Sequence, residues 1–93
     1  MIESFSCEET ESIFRGRRSR RLPPEIQQPA RRKLVYLNEA SDLADLRSPP
    51  GNRLEALKGT LAGQYSIRIN QQWRICFRWH EGSAHDVRII DYH

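Results

Sequence analysis

A carboxylate, a phenol and an imidazole stand side by side at the end of the chain, as Asp91, Tyr92 and His93. Groups of these types hold and move protons, and the imidazole does so near neutrality. Upstream, the run Trp73 to His80 sets Trp73, Ile75, Phe77 and Trp79 against Arg74, Cys76, Arg78 and His80. A period of two gives one apolar and one cationic face on a strand. The preceding run repeats it, with Tyr65, Ile67 and Ile69 against Ser66, Arg68 and Asn70, and Arg88 adds a cation in the run that follows. A sheet face offering Arg68, Arg74, Arg78 and Arg88 suits a poly-anion. RNA is such a poly-anion and carries its own nucleophile, the 2′-hydroxyl. Cutting it requires removing that proton, steadying the phosphate and protonating the leaving 5′-oxygen. His93 is the leading general acid or base. His80, His85 and His93 lack paired metal-ligand spacing, so neither a metal nor another cofactor is expected.

These residues need a scaffold. Residues 64–70, 73–80 and 84–93 read as three successive strands, and Leu54 to Leu57 as a short one before them. Met1 to Phe5 is a further strand candidate. Ser6 and Glu9 form an S-x-x-E capping box opening a helix over 7–15, which Gly16 ends. Pro23 and Pro24 open a second helix, with Ile26, Ala30, Leu34, Leu37 and Ser41 at helical spacing. Pro29 either falls inside its first turns or starts it afresh. Residues 40–46 read as one more turn, and the Pro49-Pro50-Gly51-Asn52 stretch as a rigid connection into the sheet. Helices first and strands second predict an α+β fold: an N-terminal strand and two helices packed on one face of a small, mainly antiparallel sheet. Residues 1–93 form a single domain.

The net charge of +3 is unevenly spread. Residues 1–14 carry four acids and no bases, residues 15–45 eight bases and four acids, and residues 46–93 seven bases and four acids, giving −4, +4 and +3. Arg15 to Arg21 holds five arginines in seven residues, either a phosphate-binding segment through residues such as Arg17 and Arg18 or a solvated loop. Cys7 and Cys76 are expected as buried thiols. With neither a signal peptide nor a membrane span expected, the cytoplasm is the default compartment.

Leu54-Glu55-Ala56-Leu57-Lys58-Gly59, Ser66-Ile67-Arg68-Ile69-Asn70, Gln72-Trp73-Arg74-Ile75-Cys76-Phe77 and the final Asp91-Tyr92-His93 together resemble the HigB toxins of the RelE/ParE superfamily. The resemblance implies a ribosome-dependent mRNA endonuclease that arrests translation. It also implies a HigA-like helix-turn-helix antitoxin that neutralises the toxin and represses the shared operon, and so an indirect link to operator DNA. Lys58, Arg74, Asp91, Tyr92 and His93 match the family's functional residues, and a histidine of better-known members is replaced here by Glu55. On that pattern Arg74 and Lys58 would clamp the scissile phosphate, Tyr92 would stack on a base, and Glu55 would act as a base or pair with an arginine.

Read from the residues by themselves, Arg74 is either catalytic or an exposed polar position, and Asp91 either chemical or an arginine's partner. Alternation puts Asp91 and His93 on the side of Val87 and Ile89, opposite Arg88 and Tyr92, so a common cleft needs a bulge or an earlier strand end. Three other functions fit the same pattern: a ParE-like gyrase poison, a non-catalytic RNA-binding module, and a degenerate toxin whose Glu55 leaves antitoxin binding but little cleavage.

Overall fold

The computed structural model describes residues 1–92, so His93 lies outside the described residues. Four strands pair antiparallel in sequence order: β1 (Glu55–Ala56), β2 (Gln64–Arg68), β3 (Trp73–His80) and β4 (Ser83–Asp91). Two helices, α1 (Glu8–Phe14) and α2 (Pro24–Glu39), precede them and pack against the sheet. The α+β expectation therefore holds, as does the pairing of the three longest strands.

The strand pleat decides which side is buried. Ile75 and Phe77 of β3, Ile67 of β2, and Ala84, Val87 and Ile89 of β4 join Ile13 of α1 and Ile26, Ala30, Leu34 and Leu37 of α2 in one core. Trp73 and Trp79 are only half-buried, packed against its margin. Of the residues expected at helical spacing along α2, Ser41 lies beyond the helix end.

Helix ends depart from expectation in two places, and the open alternative at Pro29 is resolved. Cys7, not Ser6, is the N-cap of α1, and no side chain caps it. The Ser6 hydroxyl instead donates to the Asp86 carbonyl at 3.2 Å, because residues 1–6 are tied to the edge of β4. Pro29 lies inside a continuous α2, far enough from its start to remove one helical hydrogen bond. The helix stops at Glu39, and a separate 3-10 turn, Leu43–Arg47, begins on a capping box formed by Asp42 and Asp45. The end of α1 does follow the sequence. Gly16 has φ +83°, the Gly16 N–H donates to Ile13 O at 3.0 Å and the Arg17 N–H to Ser12 O at 2.8 Å, the paired bonds of a Schellman turn.

The expected N-terminal strand is reduced to two isolated parallel bridges, Ile2 with Ala84 and Phe5 with Val87. The cause is on β4. Pairing with β3 shifts from Arg78–His85 to Cys76–Arg88, so Phe77 alone faces Asp86 and Val87. Asp86 has φ +53°, and this bulge interrupts any continuous ladder on the outer edge. The edge is nevertheless covered. Glu3 and Ser6 donate to the Ala84 and Val87 carbonyls, and the Thr10 hydroxyl of α1 accepts from the Ile89 N–H at 2.9 Å. At the opposite edge β1 has only two residues, too short to recruit another strand.

Candidate functional site

With one face of the sheet under helices, the other carries the polar residues. Cα register aligns Glu55, Ser66, Cys76 and Arg88 in one row across all four strands, and Arg68, Arg74 and Ile90 in the next. Arg74 is the centre of this face, and it is 7% exposed. Its Nε donates to Ser66 Oγ at 2.8 Å and its Nη2 to the Arg53 carbonyl at 2.6 Å. Glu55 Oε2 lies 3.9 Å from the same Nη2. The Tyr92 ring covers the guanidinium, with its centroid 5.3 Å from Cζ, and the Tyr92 hydroxyl donates to Glu55 Oε1 at 3.3 Å. A guanidinium stays charged at any working pH, and a buried one needs such partners to hold it. Among the described residues, Nη1 is the one guanidinium nitrogen of Arg74 without a protein acceptor.

The loop before β1 aims these partners. Arg53 sits in the left-handed region at φ 46°, closing the 3-10 turn Pro50–Asn52, and this turns its carbonyl towards Arg74. Asn52 beneath it is fully buried, donating to the Leu46 and Ser48 carbonyls at 3.2 Å each. Its side-chain oxygen accepts from the Lys33 ammonium of α2. Burial pushes the Lys33 pKa down, and neighbouring Arg32 adds to that. The path from Lys33 through Asn52 and Arg53 thus fixes Arg74 from the helical layer.

Arg53, Arg68, Asn70, Gln71, Arg74 and Tyr92 line an open cleft of about 390 Å³. Sequence reading named Arg68, Arg74 and Tyr92, set Ser66 and Asn70 on the same face without giving them a role, and missed Arg53 and Gln71. The available signal was placement in turns: Arg53 follows Pro-Pro-Gly-Asn, and Asn70 and Gln71 lie in the tight β2–β3 connection.

Other expected residues lie apart from this cleft. Lys58 is exposed at the start of the 3-10 turn Gly59–Leu61 and does not line it. Arg78 and Arg88 share the face but turn to the bulge: Arg78 Nε is 3.3 Å from Asp86 Oδ2, and Arg88 Nη1 donates to Gln64 Oε1 at 2.8 Å. Asp91 pairs in register with Trp73, on the opposite pleat from Arg74 and Tyr92, and its Oδ2 accepts from Gln72 Nε2 at 3.1 Å. The bulge that could have brought Asp91 round lies upstream, at Asp86, and leaves the phase of residues 87–91 unchanged. Arg17 and Arg18 belong to the helical layer. Cys76 is fully buried although it lies on the polar face, and burial pushes its thiol pKa up despite Arg88 and Arg74 nearby. That suits a packed thiol, not a nucleophile.

Residues 3–93 match the family described as the RelE-like toxin of the type II toxin–antitoxin system HigB. The chain belongs to this HigB-like toxin family. It is 47% identical over 68 residues to Toxin HigB-1 of Vibrio cholerae, covering 73% of this chain and 72% of that one. It is also 27% identical over 93 residues, the full length of both chains, to Endoribonuclease HigB of Proteus vulgaris. Membership of a HigB-like type II system implies an antitoxin as partner. Among the described residues no helix is long and apolar enough to cross a membrane.

Proposed function

We propose that the chain is an endoribonuclease that cuts messenger RNA on the ribosome, in the cytoplasm, without a metal. The observation that carries this is the Arg74 guanidinium, fixed by Ser66 and Arg53 in a cleft bordered by Arg53 and Arg68. A preset cation of this kind stabilises charge that grows on a phosphate as it becomes pentavalent. The full-length relative named as an endoribonuclease supports the same chemistry. The 2′-oxygen attacks phosphorus, giving up its proton to a base, and the bond from phosphorus to the 5′-oxygen breaks as an acid protonates that oxygen. The products are a 2′,3′-cyclic phosphate and a 5′-hydroxyl. His93 takes one proton-transfer role, Tyr92 stacks on a base beside the cut, and Lys58, exposed on the turn after β1, adds a cation for the message's phosphates. A HigA-like antitoxin carrying a helix-turn-helix neutralises the toxin and links it to operator DNA.

Primer extension after induced expression, on translated and untranslated copies of one message, tests the proposal. Cuts are expected in the translated copy alone. Equal cutting of both copies would exclude ribosome dependence, and intact messages would exclude the nuclease.

Glu55 is placed to hold Tyr92 and to balance Arg74, which is a positioning role. Glu55→Gln keeps an acceptor for the Tyr92 hydroxyl and loses only the charge, so message cleavage is expected to change by less than about 10-fold, below the ~10²–10⁴-fold of a general base. A larger loss, together with the disappearance of a carboxylate limb from the pH–rate profile, would make Glu55 the base.

A further inference from the structure

Ile26, Ala30, Leu34 and Leu37 form the buried stripe of α2, and Lys33 stands inside its spacing, three residues after Ala30 and four before Leu37. A lysine at the edge of a buried stripe usually lays its stem along the core and carries its ammonium out to water. Lys33 instead turns its Nζ inward. It donates to the side-chain oxygen of Asn52, which is fully buried, and lies 5.8 Å from the centre of the Tyr36 ring. Among the described residues it forms no ion pair. Holding an ammonium there is unfavourable, as its lowered pKa shows, with burial the main cause and Arg32 the second. A methionine would fill the same position without that penalty, so the charge calls for a use other than packing.

That use lies in the loop before β1. An asparagine amide has an acceptor end and a donor end of nearly the same shape, and its partners decide which way it points. Lys33 offers donors alone, whereas the Leu46 and Ser48 carbonyls, each 3.2 Å from Nδ2, offer acceptors alone. Only one orientation satisfies all three. The 3-10 turns Leu43–Arg47 and Pro50–Asn52 are thereby stitched to each other and to α2. Arg53 follows directly, its N–H donating to Pro50 O at 3.1 Å and its φ at 46°. A left-handed arginine persists only where its surroundings over-determine it. The Arg53 carbonyl so placed accepts from Arg74 Nη2 at 2.6 Å.

We propose that Lys33 is a positioning residue for RNA cleavage: from the helical layer it orients the Asn52 amide, which sets the Arg53 carbonyl on which the Arg74 guanidinium rests. This deepens the proposed function and rests on it for the reaction. Lys33 does not line the Arg74 cleft, so its removal leaves the cleft's own side chains in place and moves only the aim of Arg74. A guanidinium displaced by a fraction of an ångström still attracts the phosphate of the bound message. It no longer meets the oxygen on which charge grows, so the loss falls on the maximal rate and not on binding.

The test measures message cutting in a purified translation system over a range of protein concentrations, which gives a maximal rate and a half-saturating concentration. Lys33→Met is expected to lower the maximal rate by about 10-fold or more, with the half-saturating concentration within about 2-fold of native. Lys33→Arg, which restores a charged donor, is expected to recover most of the rate. In an Arg74→Gln background Lys33→Met is expected to add no further loss, since both act through one guanidinium. Proton–nitrogen NMR reads the contact itself. The Arg74 Nε–H resonance, identified by its absence from Arg74→Gln, is expected to shift in Lys33→Met and to move back towards its native position in Lys33→Arg. A native maximal rate in folded Lys33→Met, or a loss that multiplies with that of Arg74→Gln, would overturn the proposal. So would an unmoved resonance. Lys33→Gln, one bond shorter, repeats the measurements should Lys33→Met not fold. Intact messages with the native chain would defeat the nuclease reading, and the NMR comparison would still decide whether Lys33 aims Arg74.

Discussion

Arg74→Gln is expected to lower message cleavage by about 10²–10³-fold, the usual effect of removing one preset donor to a developing oxyanion, some 3–4 kcal/mol. The expectation rests on how little freedom the guanidinium has. Ser66 Oγ and the Arg53 carbonyl hold Nε and Nη2, the Tyr92 ring covers the plane, and among the described residues none takes Nη1, which is open to a phosphate oxygen. Glutamine puts an amide nitrogen about where Nε stands, so it can keep the Ser66 bond but lacks both the charge and the Nη donors. Arg74→Lys should fall in between, since an ammonium restores the charge but not the planar fork. Both variants leave buried acceptors short of a donor, at about 1–3 kcal/mol, so activity must be compared at temperatures where each remains folded. A well-folded Arg74→Gln variant within a few-fold of native cleavage would remove Arg74 from the chemistry.

Phe77→Ala is expected to be the most damaging change to stability, at about 3–5 kcal/mol. Phe77 is fully buried, with its ring centroid 6.2 Å from that of Tyr65 and 6.3 Å from that of Trp79. It also stands opposite the β4 bulge, where two residues face one and backbone rearrangement to fill a cavity is least available. Small domains have only about 5–15 kcal/mol in total. The melting temperature should therefore fall by roughly 12–40 °C, at about 4–8 °C per kcal/mol for a chain of this size. Thermal unfolding followed by circular dichroism reads this directly. A fall of only a few degrees would mean that the site collapses around the missing ring and that the core has another centre.

How much of the site was legible in the sequence depends on the kind of signal. Alternation in residues 73–80 separates Ile75 and Phe77 from Arg74 and Arg78 because strand side chains point to opposite faces whatever surrounds them. The same rule, applied from Val87, correctly puts Asp91 on the other pleat from Tyr92. Arg53 was invisible for the opposite reason. Its role comes from a backbone carbonyl turned by a left-handed residue, and no side-chain pattern reports where a carbonyl points. The Ser6–Glu9 motif misled because capping competes with other hydrogen bonds, and here Asp86 and Ser19 took both side chains. The arginine run showed its charge in the sequence but not its order, which depends on Glu9 and Gln27 meeting Ser19 across separate elements.

The sequence by itself determined the α+β class, the three long strands and the buried face of each, and its resemblance to a known family pointed to the family and to Arg74. The class and the faces follow from periodicity and residue type, which are local; the rest follows from the motif stretches taken together. Tertiary structure alone decided which cations share a cleft. Arg53 and Arg68 join Arg74 because loop and hairpin ends meet at one corner of the sheet, while Arg78 and Arg88 are drawn to the Asp86 bulge at the other. Convergence of that kind depends on register, on one extra residue in β4 and on a buried asparagine holding a loop. Each is fixed by contacts between residues far apart in the chain, where local pattern carries no information.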